Sequence, residues 1–192
     1  MTTNYAQQIE TLNGYRQQIG EIRAKMREVQ ESIEPQPVEN YRFTTGDAEV
    51  KLGELFTDKP DLIVIHNMGT SCAYCTLWAD GFNGIYDHLR QRADFVVTSP
   101  DSPSVQARFA QKRGWTFPMV SHQGSSFATD MGFGSADEGW MPGVSVFQQR
   151  DGGVVRVSHA QLGPYDDFCA LWHLFNLLPK GADAFAAKFS YD

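Results

Sequence analysis

Residues 61 to 81 constrain this chain more tightly than any other stretch. Asp61-Leu-Ile-Val-Ile-His66 is a run of β-branched and apolar residues that reads as a buried strand. The residues after it fall into helical spacing, so Cys72 and Cys75 lie where strand gives way to helix. A helix N-terminus presents unpaired N–H groups and the positive end of the peptide dipoles, both of which favour a thiolate over a thiol. Cys72 is therefore the expected nucleophile. Cys75, about one turn further on, is placed to attack a mixed disulfide on Cys72 and release the bound partner.

A C-x-x-C pair also serves as half of a structural zinc site, but such a site wants four ligands, and Cys169 stands far down the chain without a second pair around it. The strand-then-helix context favours redox chemistry, and an odd total of three cysteines suits a reducing compartment better than a secreted disulfide framework. A net charge of −7 argues against a nucleic-acid groove or an anionic membrane surface as partner. Residues 1–8 are polar, without the apolar core of a signal peptide, and no run approaches the roughly eighteen apolar residues of a membrane span, so a cytoplasmic location is expected. The 192 residues suit one domain with additions.

Along the chain, Leu12, Tyr15, Ile19, Ile22, Met26, Val29 and Ile33 alternate in spacings of three and four, a heptad seam on one long helix over residues 4–34 that Pro35 and Pro37 end. Two partners fit the seam, the helix's own domain or a second copy in a homodimer. Residues 40–43 and 49–52 flank a turn at Thr44-Thr-Gly46-Asp47, and 53–56 form a helical turn. The C-x-x-C helix runs to about Gln91, followed by a buried parallel strand at 94–98. Ser102, Pro103 and Gly114 mark the cap, first position and end of the next helix. A strand at 116–121 has Pro118 near its start, as an edge strand or the beginning of a strand allows. A short helix spans 126–131, a hairpin joins 143–147 to 154–157 through Arg150-Asp-Gly-Gly153, and Pro164 with Asp166-Asp167 open a final helix bearing Phe168, Leu171, Trp172, Phe175 and Leu178 as far as Pro179. Cys169, in that pattern, reads as a buried small hydrophobe.

Strand, C-x-x-C helix, strand, helix, hairpin and closing helix is the order of the thioredoxin fold. The chain resembles the peroxiredoxin-related branch of the thioredoxin-like superfamily. It is more narrowly similar to a bacterial family of unknown function marked by C-x-x-C followed by Trp78-Ala-Asp-Gly-Phe-Asn-Gly84 and by Pro142-Gly-Val-Ser-Val-Phe147. The resemblance covers about residues 38–180 and implies an α/β class: a central mixed sheet with an N-terminal β-hairpin and a long N-terminal helix. Residues 1–37 are then a helical extension and 38–192 the thioredoxin-like domain.

The resemblance also implies a cis-proline at Pro142, lying against the cysteine pair and aligning an extended substrate, with Met141 before it. It puts His66 six residues before Cys72, where the fold tends to bury an acidic proton acceptor; a histidine there is a candidate base. Tyr74, Trp78 and Met141 are the candidate substrate contacts, although Trp78 and Phe82 also suit packing, and Asp80 suits a cap or ion pair within its helix. Peroxiredoxins place proline eight and threonine or serine three residues before the peroxidatic cysteine, where Cys72 has Val64 and Gly69 and Cys75 has Asn67 and Cys72. The expected activity is thiol–disulfide oxidoreduction without a cofactor, on a protein or small-molecule disulfide or thiol. A peroxiredoxin-like thiol peroxidase, a copper protein with His66 or His122 as third ligand, and a non-catalytic interaction module are the alternatives.

Overall fold

The structure, a computed structural model, describes residues 3–46, 48–135 and 137–191. It divides into two compact units, Met1–Pro35 and Gln36–Asp192. In the first, α1 (Thr3–Ser32) is one uninterrupted helix carrying the heptad seam.

The second unit opens with β1 (Gln36–Val38), the hairpin of β2 (Arg42–Thr45) and β3 (Ala48–Lys51), and a 3-10 turn at Leu52–Leu55. Asp47 of that hairpin's turn and Ala136 further on lie outside the described residues. The cysteine segment follows as β4 (Asp61–His66) and α2 (Ala73–Arg92), then β5 (Asp94–Ser99), α3 (Pro103–Arg113) and β6 (Met119–Ser121). Next come α4 (Phe127–Asp130) and the small pair β7 (Gly134–Ser135) and β8 (Gly139–Trp140). The long hairpin of β9 (Gly143–Arg150) and β10 (Gly153–Gln161) and then α5 (Ala170–Phe175) follow.

Among the described residues, eight strands form one mixed sheet in the order β1-β10-β9-β4-β5-β6-β2-β3. β4, β5 and β6 are parallel, and β9 runs antiparallel to β4, which is the thioredoxin-like arrangement with the expected N-terminal hairpin added beyond β6. Alternation along β4 sends Leu62, Val64 and His66 to one face and Ile63 and Ile65 to the other. On the first face Leu62, Val64, Val96, Val120 and Phe147 pack with Phe43, Phe127 and Phe133. On the second, Ile65, Phe95 and Val97 pack with Trp78, Phe82 and Trp172, so α2 covers this face.

Local chemistry sets the boundaries. Ser102 is the extended N-cap of α3 with Pro103 inside its first turn, and Gly114, at φ 70°, donates its N–H back to Ala110 and Gln111. Asp151 and Gly152 at the β9–β10 turn both have positive φ, 49° and 78°, the requirement of a type I′ hairpin. Gly143 begins β9 because a Cβ there would run into the Phe133 ring.

Of the two places expected for Pro118 it takes the strand entry and not an edge: it immediately precedes β6, which is interior between β5 and β2, and its carbonyl accepts the Val97 N–H at 3.0 Å. Two expectations are corrected. Pro37 does more than stop a helix: it lies in β1, at the sheet edge, where a missing N–H is tolerated. The last helix is shorter than its apolar pattern, because Asp166 accepts the N–H groups of Phe168 and Cys169 at 2.9 and 3.1 Å and holds them in a turn. Phe168, in that turn, and Leu178, past the end of α5, are exposed.

The Trp78–Gly84 string has a structural use. Asp80 accepts from the Arg113 guanidinium and, at 2.8 Å, from the Trp115 indole N–H, rather than pairing within its own helix. Asn83 accepts the Thr116 N–H at 2.8 Å and donates to the Gly114 carbonyl at 3.2 Å. Together they fasten α2 to the corner between α3 and β6. Gly81 and Gly84 have no such use, since a Cβ at either meets nothing within 4 Å. Gly84→Ala is therefore expected to raise stability by about 0.5–1 kcal/mol in urea unfolding; a destabilised variant would show that the helix interior needs glycine there.

Candidate active site

The loop between β4 and α2 is held by its own polar groups. Asn67 donates its N–H to the Thr98 carbonyl at 2.9 Å, and its side-chain oxygen accepts the Gly69 N–H at 2.8 Å, an Asx turn. Gly69 sits at φ 101°, open to glycine alone at little cost, and its carbonyl accepts the Cys72 N–H at 3.1 Å. Cys72 is thereby delivered as the N-cap of α2, in extended conformation.

Its sulfur occupies the place where a hydroxyl or carboxylate oxygen usually caps a helix, and accepts the Cys75 N–H at 3.0 Å. The Cys75 thiol donates to the same sulfur, and this bond, helped by the Cys75 and Tyr74 N–H groups, lowers the Cys72 pKa to about 7 against the opposing effect of partial burial. Cys75 is buried at 2% exposure. Its pKa is pushed up, first by its hydrogen bond to Cys72 and then by burial, with the Met68 backbone opposing. Both cysteines are free, and the pair is asymmetric: a half-buried Cys72 whose pKa is lowered beside a buried Cys75 whose pKa is raised.

The other expected residues divide. Pro142 precedes Gly143, which pairs with His66, so it stands at the strand end from which the Cys72 loop departs. The Met141–Pro142 peptide is trans, contrary to expectation; Met141 donates its N–H to Phe133 and Pro142 accepts that of Leu162, both at 3.0 Å, which fixes the segment as extended chain. Met141 is exposed, and Tyr74 is half-buried, stacked 6.4 Å from Trp172. Trp78 is 3% exposed and belongs to the core, so it offers no face to a substrate. Cys169 is buried as expected.

His66 departs most from its expected use. Its ring lies on the sheet face opposite α2, stacked between Phe133 and Phe127 at 4.0 and 5.2 Å, with Nε2 on the Ser145 hydroxyl at 3.0 Å. Neither sulfur is among its partners. His122, at the end of β6, is also buried, edge-on to Trp140 at 4.8 Å. Among the described residues no three His, Cys, Asp or Glu side chains come together as a metal would require, so neither histidine joins the cysteines as a third ligand. No helix among them is long and apolar enough to cross a membrane. The sequence reading passed over Asp101, whose carboxylate reaches the Cys72 loop; its signal was positional, a polar residue just past the carboxyl end of a parallel strand.

Residues 12–190 match the family described as "Bacterial protein of unknown function (DUF899)". No curated protein matches the chain. Among solved structures it is similar to reduced Prx3 of Vibrio vulnificus in complex with hydrogen peroxide, with 17% identity, 70% of this chain and 90% of that one covered, and a TM-score of 0.55. Peroxidoxin BcpB of Mycobacterium tuberculosis shares 18% identity over 66% of this chain and 84% of its own, with a TM-score of 0.54. A peroxiredoxin-like protein of Aquifex aeolicus shares 19% over 67% and 75%, also at 0.54. At these identities the likeness concerns the fold.

Burial holds the His66 pKa well below its ordinary value and lowers that of His122. An unfolded histidine takes up its proton near pH 6.5, so below about that pH the unfolded chain binds more protons and stability falls. Urea unfolding between about pH 7.5 and 5.5 is expected to show this slope, and His66→Phe to flatten it; an unchanged slope in the variant would contradict the assignment.

Proposed function

The chain belongs to that bacterial family, and from this premise we propose that it is a thiol–disulfide oxidoreductase, with Cys72 as nucleophile and Cys75 as resolving thiol. The observation that carries the reading is the asymmetry of the two sulfurs. At neutral pH an appreciable share of Cys72 is thiolate, while Cys75 stays protonated beside it.

The Cys72 thiolate attacks one sulfur of a substrate disulfide, forms a mixed disulfide and expels the other half as a thiolate. That step also removes the main reason for the raised Cys75 pKa, because Cys72 no longer carries the charge that held the Cys75 proton. The expelled thiolate takes that proton, so no histidine base is needed. Cys75 then attacks the Cys72 sulfur and releases the second half, again as a thiolate that water protonates. Two electrons pass from the dithiol to the substrate, leaving a Cys72–Cys75 disulfide and two substrate thiols. Exposed Met141 and half-buried Tyr74 are the proposed substrate contacts, with the extended Pro142 backbone beside the loop. Peroxide as substrate is less well supported, since Val64 and Gly69 stand where peroxiredoxins carry the proline and hydroxyl that help activate it.

The partner proposed for α1 is a second copy. With Leu12, Ile19, Met26 and Ile33 at a and Tyr15, Ile22 and Val29 at d, a parallel pair sets Thr11 by Arg16, Gln18 by Arg23 and Lys25 by Gln30, and no like charges face each other. Light scattering after size exclusion is expected to give a dimer mass, and a monomer mass would remove this partner.

Cys75→Ser tests the chemistry. The variant is expected to accumulate a stable mixed disulfide on Cys72 with a small disulfide such as oxidised glutathione, seen as an added mass that the wild type sheds. A variant that accumulates no more adduct than wild type would contradict the assignment of Cys75 as the resolving thiol.

A further inference from the structure

Asp101 lies in the loop between β5 and α3, far from the cysteines in sequence, yet its carboxylate contacts the loop that delivers Cys72. Oδ2 accepts the Thr70 N–H at 2.8 Å, and Oδ1 lies 3.5 Å from the Thr70 hydroxyl. Gly69 passes so close that a Cβ there would sit 2.8 Å from Oδ2, at a φ that already favours glycine. The carboxylate and the glycine therefore fit each other as a pair.

The carboxylate is itself held. Gln106, 2% exposed, donates through Nε2 to the Val120 carbonyl and to the Ser99 hydroxyl, both at 2.9 Å. A serine hydroxyl has one proton, and because Ser99 accepts from Gln106 that proton is free for Asp101 Oδ2, 3.4 Å away. Two runs of donors thus converge on Asp101: Gln106 through the Ser99 hydroxyl on one side, and on the other the Cys72 N–H, which donates to the carbonyl of the Gly69–Thr70 peptide whose N–H donates to the carboxylate.

We propose that Asp101 is a positioning residue for the nucleophile: it clamps the Gly69–Thr70 segment so that the Cys72 sulfur meets the Cys75 N–H at the start of α2. The inference rests on the reading of Cys72 as nucleophile. Asp101 touches neither sulfur and acts through the loop. Its negative charge opposes a thiolate if it has any influence there, so the carboxylate's contribution is the geometry of its acceptor oxygens. Asparagine can supply that geometry, since one amide oxygen at the Oδ2 position accepts from both Thr70 and Ser99. Alanine cannot.

The test is the pH profile of Cys72 alkylation by iodoacetamide in the reduced full-length protein, followed on the Cys72 peptide by mass spectrometry. Wild type is expected to reach half its limiting rate near pH 7. Asp101→Ala is expected to move that midpoint upward by about one pH unit, toward an ordinary thiol, and Asp101→Asn to restore it to within a few tenths of a unit. Ser99→Ala, a milder change in the same chain, is expected to shift it in the same direction by less, and decides the matter if Asp101→Ala does not fold. A midpoint unmoved in Asp101→Ala, or in Ser99→Ala where that variant decides, overturns the proposal, as does an asparagine variant that behaves like alanine. An ordinary-thiol midpoint in the wild type overturns instead the redox reading on which it rests.

Discussion

The hydrogen bond from the Cys75 N–H to the Cys72 sulfur joins the architecture to the chemistry. Helices usually satisfy their first orphan N–H groups with an oxygen from serine, threonine, aspartate or asparagine. Here a sulfur takes that place, and it accepts well only when it carries negative charge. Capping α2 and ionising Cys72 are therefore one event. The Cys75 thiol adds a second donor from the same helical turn.

That arrangement depends on the sheet's two faces being used differently. α2 packs on the Ile65 and Val97 face, where Trp78, Phe82 and Trp172 bury its inner side, and Asp80 and Asn83 fasten it to the corner after α3. The opposite face at the same strand ends holds neutral, buried histidines among aromatic rings. Among the described residues one ring nitrogen of His66 has no partner, and the ring is held by stacking and by Ser145. Neither sulfur is among the partners of His66, and burial of the two histidines makes folding sensitive to acid.

Much of this was legible in the residues. The run from Leu62 to Ile65, the Ser102-Pro103 start and Gly114 end of α3, and the Asp151-Gly152 turn each state their conformation locally, and the structure agrees. Strand-to-helix placement of Cys72 was readable for the same reason. β1 was missed because three residues including a proline carry no periodic signal, and its stability comes from pairing with β10 far along the chain. α5 was overextended because the apolar spacing from Phe168 to Leu178 looks helical, whereas Asp166 decides where the helix begins. The candidate base at His66 rested on its six-residue spacing from Cys72, and its ring lies on the sheet face opposite α2. Counting six residues back from Cys72 gives its distance along the chain, but the parity of β4 decides which face it serves. Asp101 carried only a positional mark, just past the end of β5, since its partner Thr70 is brought to it by the parallel pairing of β4 with β5.

Thiolate absorbance of the reduced protein, followed in the ultraviolet from acid to alkaline pH with Cys72→Ser as reference, tests the central claim most directly. The account predicts one cysteine ionising near pH 7, absent from the reference, with Cys75 still protonated well above the ordinary thiol range. Two cysteines ionising together near about pH 8.5, as unperturbed thiols do, would contradict it.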